Sequence, residues 1–418
     1  MKTRPKQLGS ALAAGLLLLM PATASADVVT DWNAIMQTTV SSHNAFFQTR
    51  SAAITQLAVF EAVNGIIGDY EPYLGTLHAP AGASPEAAAV AAAHRVLTVL
   101  YPNPATVATL DQQRDASLLA LPDGPAKVAG IEFGLLAANE MLALRAEDGS
   151  AVVVPYVPGT AAGQWRPTAP GYSPALLPGW GRVATFGIPH GGHLRAKAPP
   201  ALHTGKYARD LQEVRTVGAL HSTERPASRT DVARTYAALL VVNLYNPIAR
   251  QLSEQSGRTL SENARIFALL GIASADALIS SMESKYHYNV WRPATAIVSA
   301  LNAQVPAHPG WQPLITEPPF PSYPSNHACA AGAARAVLEE LFGKDDLAIT
   351  VVSPNVPGLV LDYSTMEAIA SDIDDARIFG GIHFRFDQEE GSRQGRQIGR
   401  YVLRHELRPL KPGRGGSS

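Results

Sequence analysis

Apolar residues recur at three- and four-residue intervals through positions 52–66, 85–101 and 126–145, a spacing that lines them up on one face of a helix. Breaks fall at 68–80 and at Pro122-Asp123-Gly124. The pattern then changes. Positions 151–200 hold nine prolines and eight glycines, which no helix sustains, yet they keep Trp165, Tyr172 and Trp180. This stretch reads as a long ordered connection crossing the functional side of the molecule. Helical spacing returns at 207–219, 229–245, 261–286, 293–301, 327–342 and 364–378, and a last helix is expected at 387–407, with Asp387 as its N-cap. Alternating strand patterns are few. The expected fold is therefore all-α, organised as an N-terminal helical region (27–150), the connection (151–205), a second helical domain (206–410) and a frayed Gly/Ser-rich tail (411–418).

The first 26 residues differ from the rest. Lys2, Arg4 and Lys6 precede a ten-residue apolar run from Ala11 to Met20 and then Ala24-Ser25-Ala26. This is the layout of a secretory signal peptide cut before Asp27, and the run is too short to span a bilayer. The expected product is exported, periplasmic or secreted, and does not span the membrane. Cleavage leaves 31 basic and 35 acidic residues, a net charge of −4, which gives no support to nucleic-acid binding. Cys329 is the only cysteine, so no intrachain disulfide forms; it reads as a buried core thiol.

Against that weakly acidic background, three segments stand out: KYHYNVWRP (285–293), YPSNHA (323–328) and ARIFGGIHFRFD (376–387). They bring Lys285, Arg292 and Arg377 together with Ser325, His327 and His383. Arginine forks match the paired oxygens of a tetrahedral oxyanion, and charge-assisted hydrogen bonds are the strong kind. Lys285 and Arg292 are close to two helical turns apart and would share a face if the helix ran that far, although Pro293 disfavours helix at Arg292. Ser325 and His327 fall at a helix start, where free N–H groups suit an anion. Asp387 lies four residues after His383, within reach to orient it, or to cap the last helix. Asp276 is a candidate to brace an arginine.

The order Lys, six residues, Arg-Pro, then Pro-Ser-x-His, then Arg, five residues, His, three residues, Asp resembles the vanadium-dependent haloperoxidase and type 2 phosphatidic-acid phosphatase superfamily. With QWRPTAPGYSPALLPGWGRV (164–183) upstream, the soluble bacterial haloperoxidase-like branch is the nearer match. The resemblance implies helical bundles of the vanadium chloroperoxidase and acid phosphatase type, with vanadate as cofactor. It implies that His383 is the vanadium ligand, that Lys285, Arg292, Ser325, the Asn326 backbone and Arg377 hold the oxyanion, and that His327, His383 and Lys285 are the catalytic groups. Hydrogen peroxide and halide would be the substrates. Phe320 stands where chloroperoxidase-like members carry phenylalanine, whereas Met282 is not the tryptophan expected there, so halide preference stays open. Two positions depart from the pattern: Asn326 replaces the usual glycine, and Ala376 replaces a serine.

One site also fits a second chemistry. In an acid phosphatase of this superfamily His383 is the nucleophile, His327 protonates the leaving oxygen, and the same cations hold a phosphate ester. A third reading is an oxyanion-binding protein without turnover. Oligomeric state is not legible.

Overall fold

The computed structural model describes residues 27–75, 77–299 and 305–410. The expected signal segment and tail, and the end of the helix expected at 293–301, lie outside the described residues. Five helices come first: α1 (Val28–Val40), α2 (Ala45–Ile67), α3 (Pro85–Leu100), α4 (Pro104–Leu119) and α5 (Pro125–Leu144). After the connection follow α6 (Gly205–Val217), α7 (Ala227–Ala238), α8 (Val241–Ser256), α9 (Leu260–Tyr288), α10 (Pro293–Val298) and α11 (Asn326–Phe342). A short antiparallel hairpin, β1 (Ile349–Val352) with β2 (Val360–Tyr363), precedes α12 (Met366–Phe379) and α13 (Arg385–His405). The all-α expectation stands, since this hairpin is the one sheet among the described residues.

The centre of the molecule is α9. Its N-terminus carries a capping box, Thr259 with Glu262, and along its length small and apolar side chains are buried on every face. Its length and composition would let it cross a bilayer, but 94% of its most apolar window is covered by protein. α2, α8, α11 and α13 pack around it. The tightest of these contacts joins α11 to α13, where glycines let the two backbones meet: a Cβ at Gly395 would lie 1.8 Å from the carbonyl oxygen of Cys329. Cys329 is fully buried there, and burial pushes its thiol far up, as expected for a core position.

Several boundaries differ from the expectation, each for a local reason. α9 stops at Tyr288 because Asn289 takes a left-handed conformation (φ 53°), and Pro293 then opens α10 with Arg292 as N-cap. Lys285 and Arg292 therefore do not share a helical face; one comes from a helix end and the other from the next helix start. The helix expected at 229–245 is two helices, broken at the extended residues Leu239 and Leu240. No proline or glycine marks that break. The residues at the break wall the cavity described below. Asp387 is the third residue of α13, not its N-cap, which is Phe384. α1, α4 and the hairpin were not anticipated from the pattern.

The 151–204 connection carries only a single 3-10 turn, Trp180–Arg182. It is tied down by backbone bonds, Trp165 N–H to Asn289 and Leu176 N–H to Pro319, and by the Tyr286 hydroxyl donating to Leu176. Asp276 serves this connection: its carboxylate accepts the N–H groups of Phe186, Gly187 and Ile188 at 2.7–2.9 Å. It braces a loop, and the expectation that it braces an arginine is corrected.

Candidate active site

The second and third sequence segments meet at one cavity of about 270 Å³, and the first packs behind its wall. Asn326, His327, Arg377, His383 and Phe320 wall it directly. Its apolar rim comes from the start of α2 (Ala45, Phe46), from Leu176, from the α7–α8 break (Ala237, Leu240, Val241) and from Ile315 and Pro318.

Lys285 and Arg292 stand behind Phe320. The Lys285 ammonium lies 5.2 Å and the Arg292 guanidinium 5.0 Å from its ring centre, a cation–π arrangement on both. Both cations are fully buried. Lys285 Nζ donates to the carbonyls of Pro321 (2.9 Å) and Ser322 (2.7 Å). Arg292 Nε donates to Phe320 and Nη1 to Ile382, and Nη1 lies 3.3 Å from His383 Nε2. Arg377 comes from the last turn of α12. Its Nη1 donates to the carbonyl of Tyr236 at 3.4 Å, one of the oxygens freed because α7 stops short.

His383 follows Gly381, whose φ of 78° turns the chain between α12 and α13. Its Nδ1 is 2.7 Å from Asp387 Oδ2. The same oxygen accepts from the Ser322 hydroxyl and from the Phe384 N–H. With two unambiguous donors on it, that oxygen is an acceptor, so Nδ1 is assigned the proton and Nε2 the lone pair, which faces Arg292 Nη1 at 3.3 Å. Asp387 thus both orients His383 and closes the first turn of α13. Ser325 caps α11, its hydroxyl accepting from Ala328 N–H at 3.3 Å, which leaves its own proton to donate. It does not wall the cavity. His327, in the first turn of α11, does.

Burial first, and then the neighbouring cations, shape the titration of the site. The Lys285 ammonium is pushed well below its usual range by burial and by Arg292. Arg292 falls to about 10 and Arg377 to about 9, both through burial. Burial, helped by the cations, holds His327 and His383 well below the usual imidazole range, so both are neutral near pH 7. Burial raises the Asp387 carboxyl, while its Ser322 hydrogen bond and Lys285 act the other way. Several donors have no protein partner: Arg292 Nη2 and Arg377 Nε, and His327 Nε2 is likewise unpaired. Buried cations with spare donors around one cavity are costly unless an anion meets them.

Two buried groups escaped the sequence reading. Ser322 ties the site together, its carbonyl on Lys285 and its hydroxyl on Asp387. Glu317 accepts the Ala294 N–H at 3.0 Å near the start of α10, next to the Arg292 backbone, and burial lifts its carboxyl to about 7. Serine in PPFPSYPSNH and glutamate before two prolines carry no periodic or spacing signal, so only the fold reveals them.

Fold and site define a helical protein with buried cations and two imidazoles gathered at one largely apolar cavity. The resemblance read from the motifs is borne out: residues 265–412, which hold all three segments, match the family model described as the VCPO second helical-bundle domain. A vanadium chloroperoxidase of Curvularia inaequalis is 28% identical over a match that spans 30% of this chain and 28% of that protein. The chain has the vanadium haloperoxidase fold. A bacterial vanadium-dependent iodoperoxidase superposes with a TM-score of 0.76 at 24% identity, over 91% of this chain and 96% of that one. A bacterial vanadium-dependent chloroperoxidase in its apo form gives 0.70 at 16% identity, over 87% and 95%.

Proposed function

We propose that this protein is a vanadate-dependent haloperoxidase that uses hydrogen peroxide to oxidise halide. The observation that carries the reading is the set of buried cations, Lys285, Arg292 and Arg377, with unpaired donors around the cavity that His383 walls. The residues fit the group. Vanadate is a tetrahedral oxyanion, and Arg292 Nη2, Arg377 Nε, the remaining Lys285 proton, the Ser325 hydroxyl and the open N–H groups at the start of α11 suit its oxygens. His383 would hold vanadium through Nε2, the nitrogen whose lone pair the Asp387 contact on Nδ1 turns to the cavity, in place of its 3.3 Å contact with Arg292 Nη1.

Bound vanadate supplies a Lewis-acidic centre at which peroxide becomes reactive toward halide. The chain does the rest. Asp387 keeps the His383 proton on Nδ1, and Phe320 and the apolar rim limit water at the cavity. Lys285, with one donor free, polarises the oxidant. His327, neutral and unpaired at Nε2, takes up and returns protons.

The same imidazole pair favours one other chemistry, hydrolysis of phosphate monoesters. There His383 Nε2 attacks phosphorus, its bond to the ester oxygen breaks, His327 protonates the departing alcohol, and water then cleaves the phosphohistidine. The discriminating experiment is halide oxidation by the metal-free protein with peroxide, with and without orthovanadate, using chloride, bromide and iodide in turn. Vanadate-dependent turnover supports the haloperoxidase. Phosphate-ester hydrolysis that vanadate inhibits, without peroxidase turnover, replaces it with the phosphatase, and stoichiometric binding without either turnover leaves a binding protein. Export before Asp27 is part of the proposal, and the intact mass of protein recovered from an expressing bacterium's periplasm or medium tests it.

A further inference from the structure

Lys285, Arg292 and Arg377 offer an anion only donors. Two groups at the same cavity are of the opposite kind: His383 Nε2, which already has Arg292 Nη1 at 3.3 Å, and the Asn326 carboxamide oxygen, which has no partner. Asn326, the first residue of α11, stands where the sequence pattern calls for glycine. Its Nδ2 faces Met282 Sδ at 3.6 Å. A thioether accepts but cannot donate, so the amide orientation follows: Nδ2 toward Met282, Oδ1 away from it. Oδ1 has no protein partner, the residue is 6% exposed, and it walls the cavity beside His327, Arg377 and His383. A buried carbonyl oxygen without a donor is destabilising. A ligand that brings an O–H removes that cost.

We propose that Asn326 Oδ1 makes the site selective for tetrahedral oxyanions that keep a proton, as vanadate and phosphate do near neutral pH, over sulfate, which keeps none. The inference rests on the oxyanion reading above and adds which oxyanions the site admits. A site built to meet a ligand hydroxyl rejects the analogue without one, because its own polar group is then left unpaired. Met282 has a part in this: its sulfur holds the carboxamide so that the oxygen, and not the NH2, remains for the ligand. His327 Nε2 is also unpaired and either donates or accepts according to tautomer, so the test leaves it in place.

The experiment is calorimetric titration of the purified full chain with inorganic phosphate and with sulfate, without vanadate or peroxide. Wild type is compared with Asn326→Leu, which keeps bulk without an acceptor, and Asn326→Gly, which removes both; thermal melting checks that each variant folds. Wild type is expected to bind phosphate at least about 10-fold tighter than sulfate. Both variants are expected to bring the two affinities within about 3-fold of each other, by weakening phosphate. A change shared by both variants reports the lost acceptor rather than lost bulk. Equal affinity of wild type for the two anions, or an unchanged preference in both variants, overturns the inference. Failure of wild type to bind either anion overturns the oxyanion reading itself.

Discussion

His383 Nδ1 and Asp387 Oδ2 stand 2.7 Å apart, one turn from each other in sequence and both fully enclosed. That contact decides which imidazole nitrogen faces the cavity, and it needs no metal to do so. Asp387→Asn keeps an acceptor but loses the charge. Vanadate-dependent turnover is expected to fall about 10–100-fold, with weaker oxyanion binding, as for other partners of metal-holding histidines. His383→Ala is expected to abolish the activity. Near-wild-type turnover in that variant sinks the assignment.

Ser322→Ala removes one of the three donors on Asp387 Oδ2 while leaving the Ser322 carbonyl on Lys285. Urea unfolding is expected to show a loss of about 1 kcal/mol. Turnover should fall about 10-fold, because the carboxylate is less firmly aimed at His383. Unchanged kinetics would mean the two remaining donors suffice.

Glu317 carries the clearest pH signature. Burial raises its carboxyl from the ordinary 4.5 to about 7. With the folded-state value raised, folding favours the protonated form: the cost is absent below pH 4.5, grows as pH rises through that window, and is complete above 7. Glu317→Gln is neutral throughout and retains an acceptor for the Ala294 N–H. The variant is expected to match wild type at about pH 4 and to exceed it by roughly 3 kcal/mol at about pH 8. Chemical denaturation at the two pH values measures this. A difference that does not vary with pH would place the Glu317 carboxyl near its ordinary value.

Gly395→Ala tests the frame rather than the chemistry. The new Cβ would overlap the Cys329 carbonyl, so α11 and α13 must separate. These helices carry His327 and Asp387. A loss of at least about 2 kcal/mol in unfolding free energy is expected, with oxyanion affinity falling in parallel. Wild-type stability would show that the crossing yields more readily than its backbone contact indicates.

The helices and the donor set were largely legible in the chain. Three- and four-residue spacing places most of α2, α3, α5, α6, α9, α11, α12 and α13, because burying one apolar stripe is a local demand that repeats along the sequence. The three motifs named Lys285, Arg292, His327, Arg377 and His383; in the structure His327, Arg377 and His383 wall one cavity, and Lys285 and Arg292 stand behind Phe320 in its wall. Other features had no local cause. The break at Leu239 and Leu240 lies in an unbroken apolar run with no local breaker, and that segment walls the cavity. Asp276 looked like a partner for a cation, yet it holds three backbone N–H groups from a loop about 90 residues earlier in the chain. Ser322, Glu317 and the free Oδ1 of Asn326 acquire their roles only from groups that folding brings beside them. By itself the sequence determined the apolar faces and the kinds of polar groups available. Which of those groups are paired, which stay unpaired and which way each one points was decided by tertiary packing, since a hydrogen bond depends on a partner's position and not on its distance along the chain.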